Sequence, residues 1–510
     1  MTPFLLAAML WLPHGLSPAP LEVQWGGAPR PVPSMATPAG SSTRNPADSV
    51  QGWVHRWVDG GVDSGQLGRF LNRPVGALES LLVPRRRLVA SSAGTAPEFG
   101  SAVALDPGDS RRAALAYVGA PRAHVDGGGR GVVQIFRSPS GGVGHWLDGW
   151  GHLVQGRGLA VGARFGASLA ASGGLFVVGA PGANSPGGER SGLVRIYSAP
   201  GTGPGAIHRP RLLAELHPPA GLDGAAFGAT LAIETAADGE VQRLAVGAPK
   251  AMPAGVALAG RVFVYRRSPG GGFVLDFEAM ASEPRVAATF GASLAFAGTY
   301  LIVGAPGDGQ LAPGAGRVYG FGPDGALAFE LAPPIGGRPG DGPIGGLGAA
   351  GARFGSALGA VGARGFAVSS FGRGLVEIFR VVHLPSSGKE PIHEQTLRGL
   401  PAHRFGTSLA TSGQLLMVGA PGAPSTGVPS TGVPGGSPPP GQVYVYARLA
   451  GVWRPAGALR SVMPAPNGEF GLTLASAGGH CVVGEPGSNG ACPQAAACLA
   501  GMGAVFRMPR

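Results

Sequence analysis

Short apolar segments with alternating hydrophobic and polar positions recur along most of this chain. Each recurrence opens on a Phe-Gly pair that leads into a Ser/Thr-Leu-Ala-like stretch, as in Phe165–Ala170. The seven pairs are Phe99-Gly100, Phe165-Gly166, Phe227-Gly228, Phe290-Gly291, Phe354-Gly355, Phe405-Gly406 and Phe470-Gly471. Alternation with a period of two is typical of half-buried β-strands. The pattern therefore predicts a chain built from repeated β-units, in which these Phe and Gly residues have a structural role.

Each unit contains three further strand-like segments. A second apolar run ends in Val-Gly-Ala-Pro, as at Val178–Pro181, or in Val-Gly-Glu-Pro at Val483–Pro486, whereas the fifth copy, Phe366–Ser370, lacks this ending. A third segment follows a loop, as at Leu193–Tyr197, and a weaker fourth precedes the next Phe-Gly, as at Leu212–Leu216. Four short strands per repeat are the blade of a β-propeller. We predict an all-β, seven-bladed β-propeller of four-stranded antiparallel blades.

A strand from before the first unit is expected to close the ring. The seventh unit reaches its third strand at Ala504–Met508, and the sequence offers no later segment for a fourth. The run Arg86–Ser91 has the pattern of a strand but belongs to no unit. Pairing these two segments would remove the exposed sheet edges of an open ring. The propeller is thus predicted to occupy residues 81–510, after a low-complexity tail or linker at 21–80.

Composition and charge narrow the classes of protein. Gly 93 and Pro 49 are high for 510 residues, but 44% of the residues are hydrophobic and only 13% are charged. A disordered chain would show the reverse balance, so these residues fit turns between buried strands. The net charge of +11 comes from arginines scattered along the chain, apart from Lys250 and Lys389. The only runs of adjacent arginines are Arg85–Arg87, Arg111-Arg112 and Arg266-Arg267. Because the others are scattered, we expect no nucleic-acid partner.

The N-terminus is typical of export. Residues 1–20 are predicted to be a signal peptide, because the apolar run Phe4–Leu12 precedes the small residues Ser17–Ala19, although no basic residue comes first. No other uninterrupted apolar segment reaches the roughly 18 residues that span a bilayer, so we expect no transmembrane span. The expected location is therefore extracellular or at the cell surface.

Three cysteines are too few for a disulfide framework, and their spacing matches no zinc motif. Cys492 and Cys498 lie close in sequence and are candidates for a local disulfide in an oxidising compartment. The alternative is that all three cysteines are unrelated thiols.

The seven Phe-Gly pairs and their Gly-x-Pro partners resemble the FG-GAP repeats of integrin α-subunit head domains and of a phospholipase D that acts on lipid anchors. The resemblance covers residues 99–510 and implies an extracellular propeller for adhesion or ligand binding. In that family, some blades carry an Asp-rich calcium loop between the first two strands. Here only two such loops keep acids, which are Asp106 and Asp109 in the first unit and Glu234, Asp238 and Glu240 in the third. Calcium needs six to eight oxygen ligands, so we predict solvated hairpin tips and no metal.

The sequence carries no motif of a known catalytic site. It has no Gly-x-Ser-x-Gly elbow, phosphate loop or His-Glu-x-x-His. His383 and His393 form a loose cluster with Glu390 and Glu394, in a stretch that is predicted to be an exposed loop between two blades.

We therefore predict a non-catalytic binding or adhesion propeller, without a cofactor, that recognises a protein or glycan ligand through loops on one face. The ligand-binding residues themselves are not predicted. The alternative is a hydrolase-like propeller enzyme whose site assembles near the central axis. A ring-lined pocket of Asp, His and Arg would favour the enzyme, and an open face of aromatic and polar loops would favour binding.

Overall fold

The computed structural model shows an all-β chain. It describes residues 84–88, 98–108, 113–124, 128–138, 147–201, 209–236, 238–334, 350–384, 388–422, 441–461, 468–487 and 502–507. The strands in these ranges form seven four-stranded antiparallel sheets. Cys492, Cys498 and Asp109 lie outside the described residues, as do the predicted signal peptide and the predicted tail.

Each sheet begins with a strand that starts at, or shortly after, a Phe-Gly pair. These first strands are β2 (Ala102–Asp106), β6 (Ser168–Ser172), β10 (Thr230–Thr235), β14 (Ser293–Ala297), β18 (Phe354–Val361), β22 (Leu409–Ser412) and β26 (Thr473–Ala477). Each first strand contacts those of the two neighbouring sheets, and the contact between β26 and β2 completes the cycle. The sheets are therefore blades around one axis with their first strands innermost. We number them blade 1 to blade 7, from β2 to β26.

The other strands follow outward from the axis. The second strands are β3 (Leu115–Ala120), β7 (Leu175–Ala180), β11 (Val241–Ala248), β15 (Tyr300–Ala305), β19 (Gly365–Ser370), β23 (Leu415–Ala420) and β27 (His480–Glu485). The third strands are β4 (Val132–Arg137), β8 (Leu193–Ser198), β12 (Arg261–Arg267), β16 (Arg317–Phe321), β20 (Leu375–Leu384), β24 (Gln442–Leu449) and β28 (Met502–Arg507). The fourth strands are β5 (Leu147–Gln155), β9 (Arg211–Leu216), β13 (Phe273–Ala279), β17 (Leu327–Leu331), β21 (Gly388–Arg398), β25 (Val452–Arg460) and, for blade 7, β1 (Pro84–Leu88). The prediction of an all-β propeller with four-stranded antiparallel blades is confirmed.

The N-terminal strand closes the ring. β1 pairs antiparallel with β28, so that Arg86 lies opposite Val505 and Leu88 lies opposite Gly503. The predicted closure is therefore confirmed. The strand begins earlier than predicted, at Pro84, and residues 89–91 lie outside the described residues.

The core of the molecule lies between adjacent blades. The side chain of every Phe in the seven Phe-Gly pairs is at most 1% exposed. Phe99 of blade 1, for example, belongs to one buried cluster with Val482 of blade 7. Since a single four-stranded blade cannot bury both of its faces, each blade depends on its two neighbours for stability.

Hydroxyl groups of the first strands link the blades through backbone carbonyls. Ser168 Oγ donates a hydrogen bond of 2.6 Å to the carbonyl oxygen of Gly228, in the Phe-Gly pair of the next blade. The same bond joins Thr230 to Gly291, Ser293 to Gly355, Ser408 to Gly471, and Thr473 to Gly100. The Ser/Thr position of the repeat thus fixes the spacing between neighbouring sheets.

Candidate functional site

The two ends of the ring carry different kinds of connection. The strands of a blade alternate in direction, so the loops from second to third strand and from fourth strand to the next blade emerge at the same end. We call this end the Phe-Gly face, because each Phe-Gly pair lies there. The opposite face carries the hairpins between first and second strands and between third and fourth strands. Loops on a rigid scaffold are the usual location of binding residues.

The residue before each Phe has left-handed backbone without being glycine. The φ angles lie between 54° and 64° at Glu98, Arg164, Ala226, Thr289, Arg353, Arg404 and Glu469. In each case the carbonyl of this residue accepts a hydrogen bond from the amide three positions later, as Arg164 does from Ala167 at 3.0 Å. Such backbone is unfavourable for residues with a side chain and persists only where the surrounding structure holds it. Sequence analysis missed this feature, since these residue types give no signal for it.

Two loops of blade 3 run side by side on the Phe-Gly face. Residues 249–260 connect β11 to β12, and residues 280–289 lead from β13 to the next Phe-Gly pair. Amides of the second loop donate to carbonyls of the first, from Ala287 to Ala257 at 3.0 Å and from Thr289 to Leu258 at 3.0 Å. The φ angles of Ala254, Leu258 and Ala287 are also left-handed, at 50°, 54° and 58°. This loop pair therefore contains more left-handed non-glycine residues than the single one found at each blade entry.

The same loop pair exposes apolar side chains. Val286 is 70% exposed, Met252 54%, Leu258 42% and Met280 41%. We call these four residues the blade-3 patch. Lys250, beside the patch, is exposed, and Glu283 is paired with Arg285 at 2.6 Å. The sequence did not indicate that these residues are exposed, because an apolar residue next to an apolar strand is usually interpreted as part of the core.

The two loops that kept acidic residues lie on the opposite face, and their carboxylates have partners within the same blade or in the next one. Asp106 is buried and accepts a hydrogen bond of 3.0 Å from the amide of Gly174, in the corresponding hairpin of blade 2. Glu234 binds the guanidinium of Arg243 at 2.5 and 3.0 Å, and this Arg also donates to the carbonyl of Thr299 in blade 4 at 2.8 Å. Asp238 accepts from the amide of Glu240 within its own turn. The described part of the chain contains no group of three or more His, Cys, Asp or Glu that could hold a metal ion.

Removal of divalent cations is expected to leave the stability of the protein unchanged. The carboxylates of Asp106 and Glu234 already have amide or guanidinium partners, so a bound ion would have to displace them. The test is thermal unfolding in millimolar EDTA and in millimolar calcium. An ion bound specifically to the folded state would raise the Tm by mass action, and a rise of more than a few degrees in calcium would show this prediction to be wrong.

The predicted loop around His383 and His393 is instead a long hairpin, so that prediction is wrong. β20 and β21 pair antiparallel from Leu375 opposite Arg398 to Leu384 opposite Gly388. His393 Nε2 lies 2.7 Å from Glu377 Oε2, and the Thr396 hydroxyl donates to the same oxygen at 2.5 Å.

Glu394, one of the two acids of the predicted cluster, lies between two arginines, Arg380 at 2.6 Å and Arg448 of blade 6 at 3.3 Å. All these groups belong to the third and fourth strands, so they lie in the outer half of the blades and away from the axis. Their described contacts join strands and blades, which is a structural role.

The third cysteine, Cys481, is a free thiol on β27. It is fully buried, and burial raises the pKa of its thiol to about 12. The thiol therefore stays protonated at neutral pH and is a poor nucleophile. Among the described residues, no helix is long and apolar enough to cross a membrane.

Comparisons with known proteins place this chain with no sequence family. No protein-family model matches it, and no curated protein sequence does. Among solved structures it is similar to the WD40 domain of Toxoplasma gondii coronin, with 11% sequence identity, 84% of this chain and 88% of that chain covered, and a TM-score of 0.44. The propeller assignment rests on the strand pairing and the cyclic contacts described above.

Proposed function

We propose that this chain is a non-catalytic extracellular binding propeller that recognises a protein ligand through the blade-3 patch. The observation that carries the proposal is the exposure of four apolar side chains on two hydrogen-bonded loops of the Phe-Gly face. Exposed apolar patches on a folded protein mark interaction surfaces. Methionine, which supplies two of the four side chains, adapts its shape to a partner at such surfaces.

The backbone of the loop pair supports this proposal. Leucine is a poor choice for left-handed backbone, because its side chain crowds the following peptide group. Leu258 combines this strained backbone with a large apolar side chain that is 42% exposed. Burial of the side chain within this protein therefore offsets little of the backbone strain. Strained residues of this kind cluster at binding sites, where they pre-organise a surface. Pre-organisation lowers the ordering cost of association.

The chemistry of the patch favours protein over glycan. Its side chains are two methionines, a leucine and a valine, which offer apolar contact but no hydrogen-bonding groups. The resemblance to FG-GAP repeats supports an adhesion or ligand-binding role in general, and the apolar N-terminal run supports export. The sequence-based alternative of a propeller enzyme near the axis gains no support from the Glu377–His393 pair, which lies in the outer half of its blade.

The test is a double variant, Leu258→Asp with Val286→Asp, compared with wild type in capture of partners from surface extract of the source organism. Removing interface hot spots costs about 2 kcal/mol or more, so the affinity of the captured protein, once purified, is expected to fall about thirtyfold. Aspartate tolerates left-handed backbone better than leucine, so position 258 should keep its fold.

The matched control is Val274→Asp with Leu327→Asp, which places the same charges at exposed apolar positions on the outer strands of blades 3 and 4. This control should bind the partner as wild type does. Equal loss in both double variants would mean that charge alone weakens binding. Full binding by the patch variant, or capture of glycans alone, would contradict the proposed function.

A further inference from the structure

Blade 5 departs from the other blades at the Phe-Gly face. Its second and third strands are joined only by residues 371–374, whereas residues 181–192 make this connection in blade 2 and residues 249–260 make it in blade 3. It is also the blade that lacks the Val-Gly-Ala-Pro ending, since Ser370 and Phe371 replace Ala and Pro. The Phe-Gly face therefore carries a much shorter connection at blade 5 than at blades 2 and 3.

Three chain segments meet at this short connection. The 3₁₀ turn Phe371–Arg373 packs against the 3₁₀ turn Pro401–His403, which leads from blade 5 to blade 6. The amide of Gly399 donates to the carbonyl of Gly374 at 2.8 Å and holds the two turns together. From the entry turn of blade 5, the guanidinium of Arg353 lies over the Phe371 ring, 5.6 Å from its centroid.

We call this region the blade-5 notch and define it by six residues of these three segments. They are Arg353, Phe371, Arg373, Leu400, His403 and Arg404.

The charge of the notch is positive and only partly neutralised. Arg353 and Arg404 are exposed and Arg373 is half-buried. Arg404 is paired with Glu469 of blade 7 at 3.0 Å. Within the described ranges, no carboxylate lies within 4.0 Å of the guanidinium of Arg353 or Arg373. Burial lowers the pKa of His403, so the positive charge of the notch comes from its arginines.

An apolar side chain accompanies this charge. Leu400, at the start of the second turn, is 59% exposed. It directly precedes the turn Pro401–His403, which packs against the turn that contains the half-buried Phe371. The notch therefore presents guanidinium groups and apolar surface side by side, a combination that complements a segment with both carboxylate and apolar groups.

We propose that the blade-5 notch binds an acidic segment of a protein partner, in which a carboxylate engages Arg353 and Arg373 and a neighbouring apolar side chain contacts Leu400. Arginine is suited to this task, because its planar guanidinium pairs with a carboxylate through two parallel hydrogen bonds and is weakly hydrated. This site is separate from the blade-3 patch, so neither proposal depends on the other. A polyanion such as a nucleic acid or a sulfated glycan would use the arginines but would gain nothing from Leu400.

The test uses fluorescein-labelled peptides and fluorescence anisotropy with the full chain. The acidic probe is Gly-Glu-Glu-Leu-Glu-Gly, and matched probes replace its glutamates with glutamine or its leucine with glycine. Hydrogen bonds to charged groups are strong, so Arg353→Gln with Arg373→Gln is expected to weaken binding of the acidic probe about tenfold or more. Leu400→Ser should weaken binding of the acidic probe severalfold, because it removes the contact between Leu400 and the leucine of the probe. It should not change the affinity of the probe that has glycine in place of leucine, because that probe already lacks this contact.

The control for charge is Arg364→Gln with Arg454→Gln, which removes two exposed arginines elsewhere and changes net charge equally. It should change the affinity less than twofold. The blade-3 double variant should also bind the acidic probe normally, which separates this proposal from the proposed function. No binding of the acidic probe at millimolar concentration would overturn the inference, and so would equal loss in the control. Tighter binding of a single-stranded oligonucleotide or a heparin fragment, with no effect of Leu400→Ser, would identify a polyanion site instead.

Discussion

Replacing Gly179 with alanine is expected to lower the free energy of unfolding by about 3 kcal/mol or more, near the upper end for overpacked positions. Gly179 lies on the second strand of blade 2, where its backbone meets the Phe-Gly pair of blade 3. A Cβ atom at this position would lie closer than 3.0 Å to the carbonyl oxygen of Gly228 and to Ser168 Oγ. These two atoms are hydrogen-bonded to each other at 2.6 Å, so neither is free to move aside.

The measurement is denaturant unfolding of wild type and variant. The matched control is Gly270→Ala, in the outer hairpin of blade 3, where an added Cβ would meet nothing within 4 Å and the backbone is not left-handed. This control should change the free energy of unfolding by only a few tenths of a kcal/mol. Equal stability of the two alanine variants would show that the junction between blades can relax, and the steric argument would then be wrong.

Blade 5 shows how the same junction is built without glycine. Ser369 replaces the glycine of the second strand and is fully buried. Ala357 stands where five other blades have the linking hydroxyl, as Ala102 does in blade 1. The pairing of β18 with β19 is irregular between Phe354 and Leu358. The Ser369 side chain lies beside Gly406, in the Phe-Gly pair of blade 6.

Much of the fold could be predicted from the sequence because its signals are local. A strand with one buried side repeats every second residue, and the Phe-Gly pair marks where each blade begins. The closure by an N-terminal strand followed from the same signals, since one strand-like run had no blade and one blade lacked a strand. The hairpin of β20 and β21 was missed because charged residues interrupt its alternation, as at Glu377 and Arg380. Glu377 is nevertheless buried and bonded to His393.

The candidate site could not be predicted because it depends on where loops lie in three dimensions. Met252 and Val286 are far apart in sequence and become part of one surface only when the two loops of blade 3 pair. The left-handed backbone at the blade entries is imposed by the ring, so glutamate, arginine, alanine and threonine occupy the same position. The blade-5 notch left one trace in the sequence, the missing Val-Gly-Ala-Pro ending, but its charge arises from three separate segments.

Deleting Pro84–Leu88 is expected to lower the free energy of unfolding by several kcal/mol, a loss seen only when core structure is removed. This segment is the fourth strand of blade 7, and it pairs with β28 along its length. Without it, β28 becomes the outer edge of a three-stranded sheet and exposes its backbone hydrogen-bonding groups. Because each blade packs on two neighbours, the damage should reach blades 1 and 6 through the contacts of β26 with β2 and β22.

The measurements for this deletion are thermal unfolding and hydrogen exchange of the amides in Met502–Arg507. The control removes residues 40–44, an equal length from the segment predicted to be a tail. In the strand deletion, the amides of β28 that pair with β1 should lose protection, since exchange follows the local opening free energy. An unchanged melting curve together with unchanged protection of β28 would show that β1 contributes nothing to closure. Loss of protection confined to β28, with the other six blades unaffected, would show that the ring does not transmit the defect.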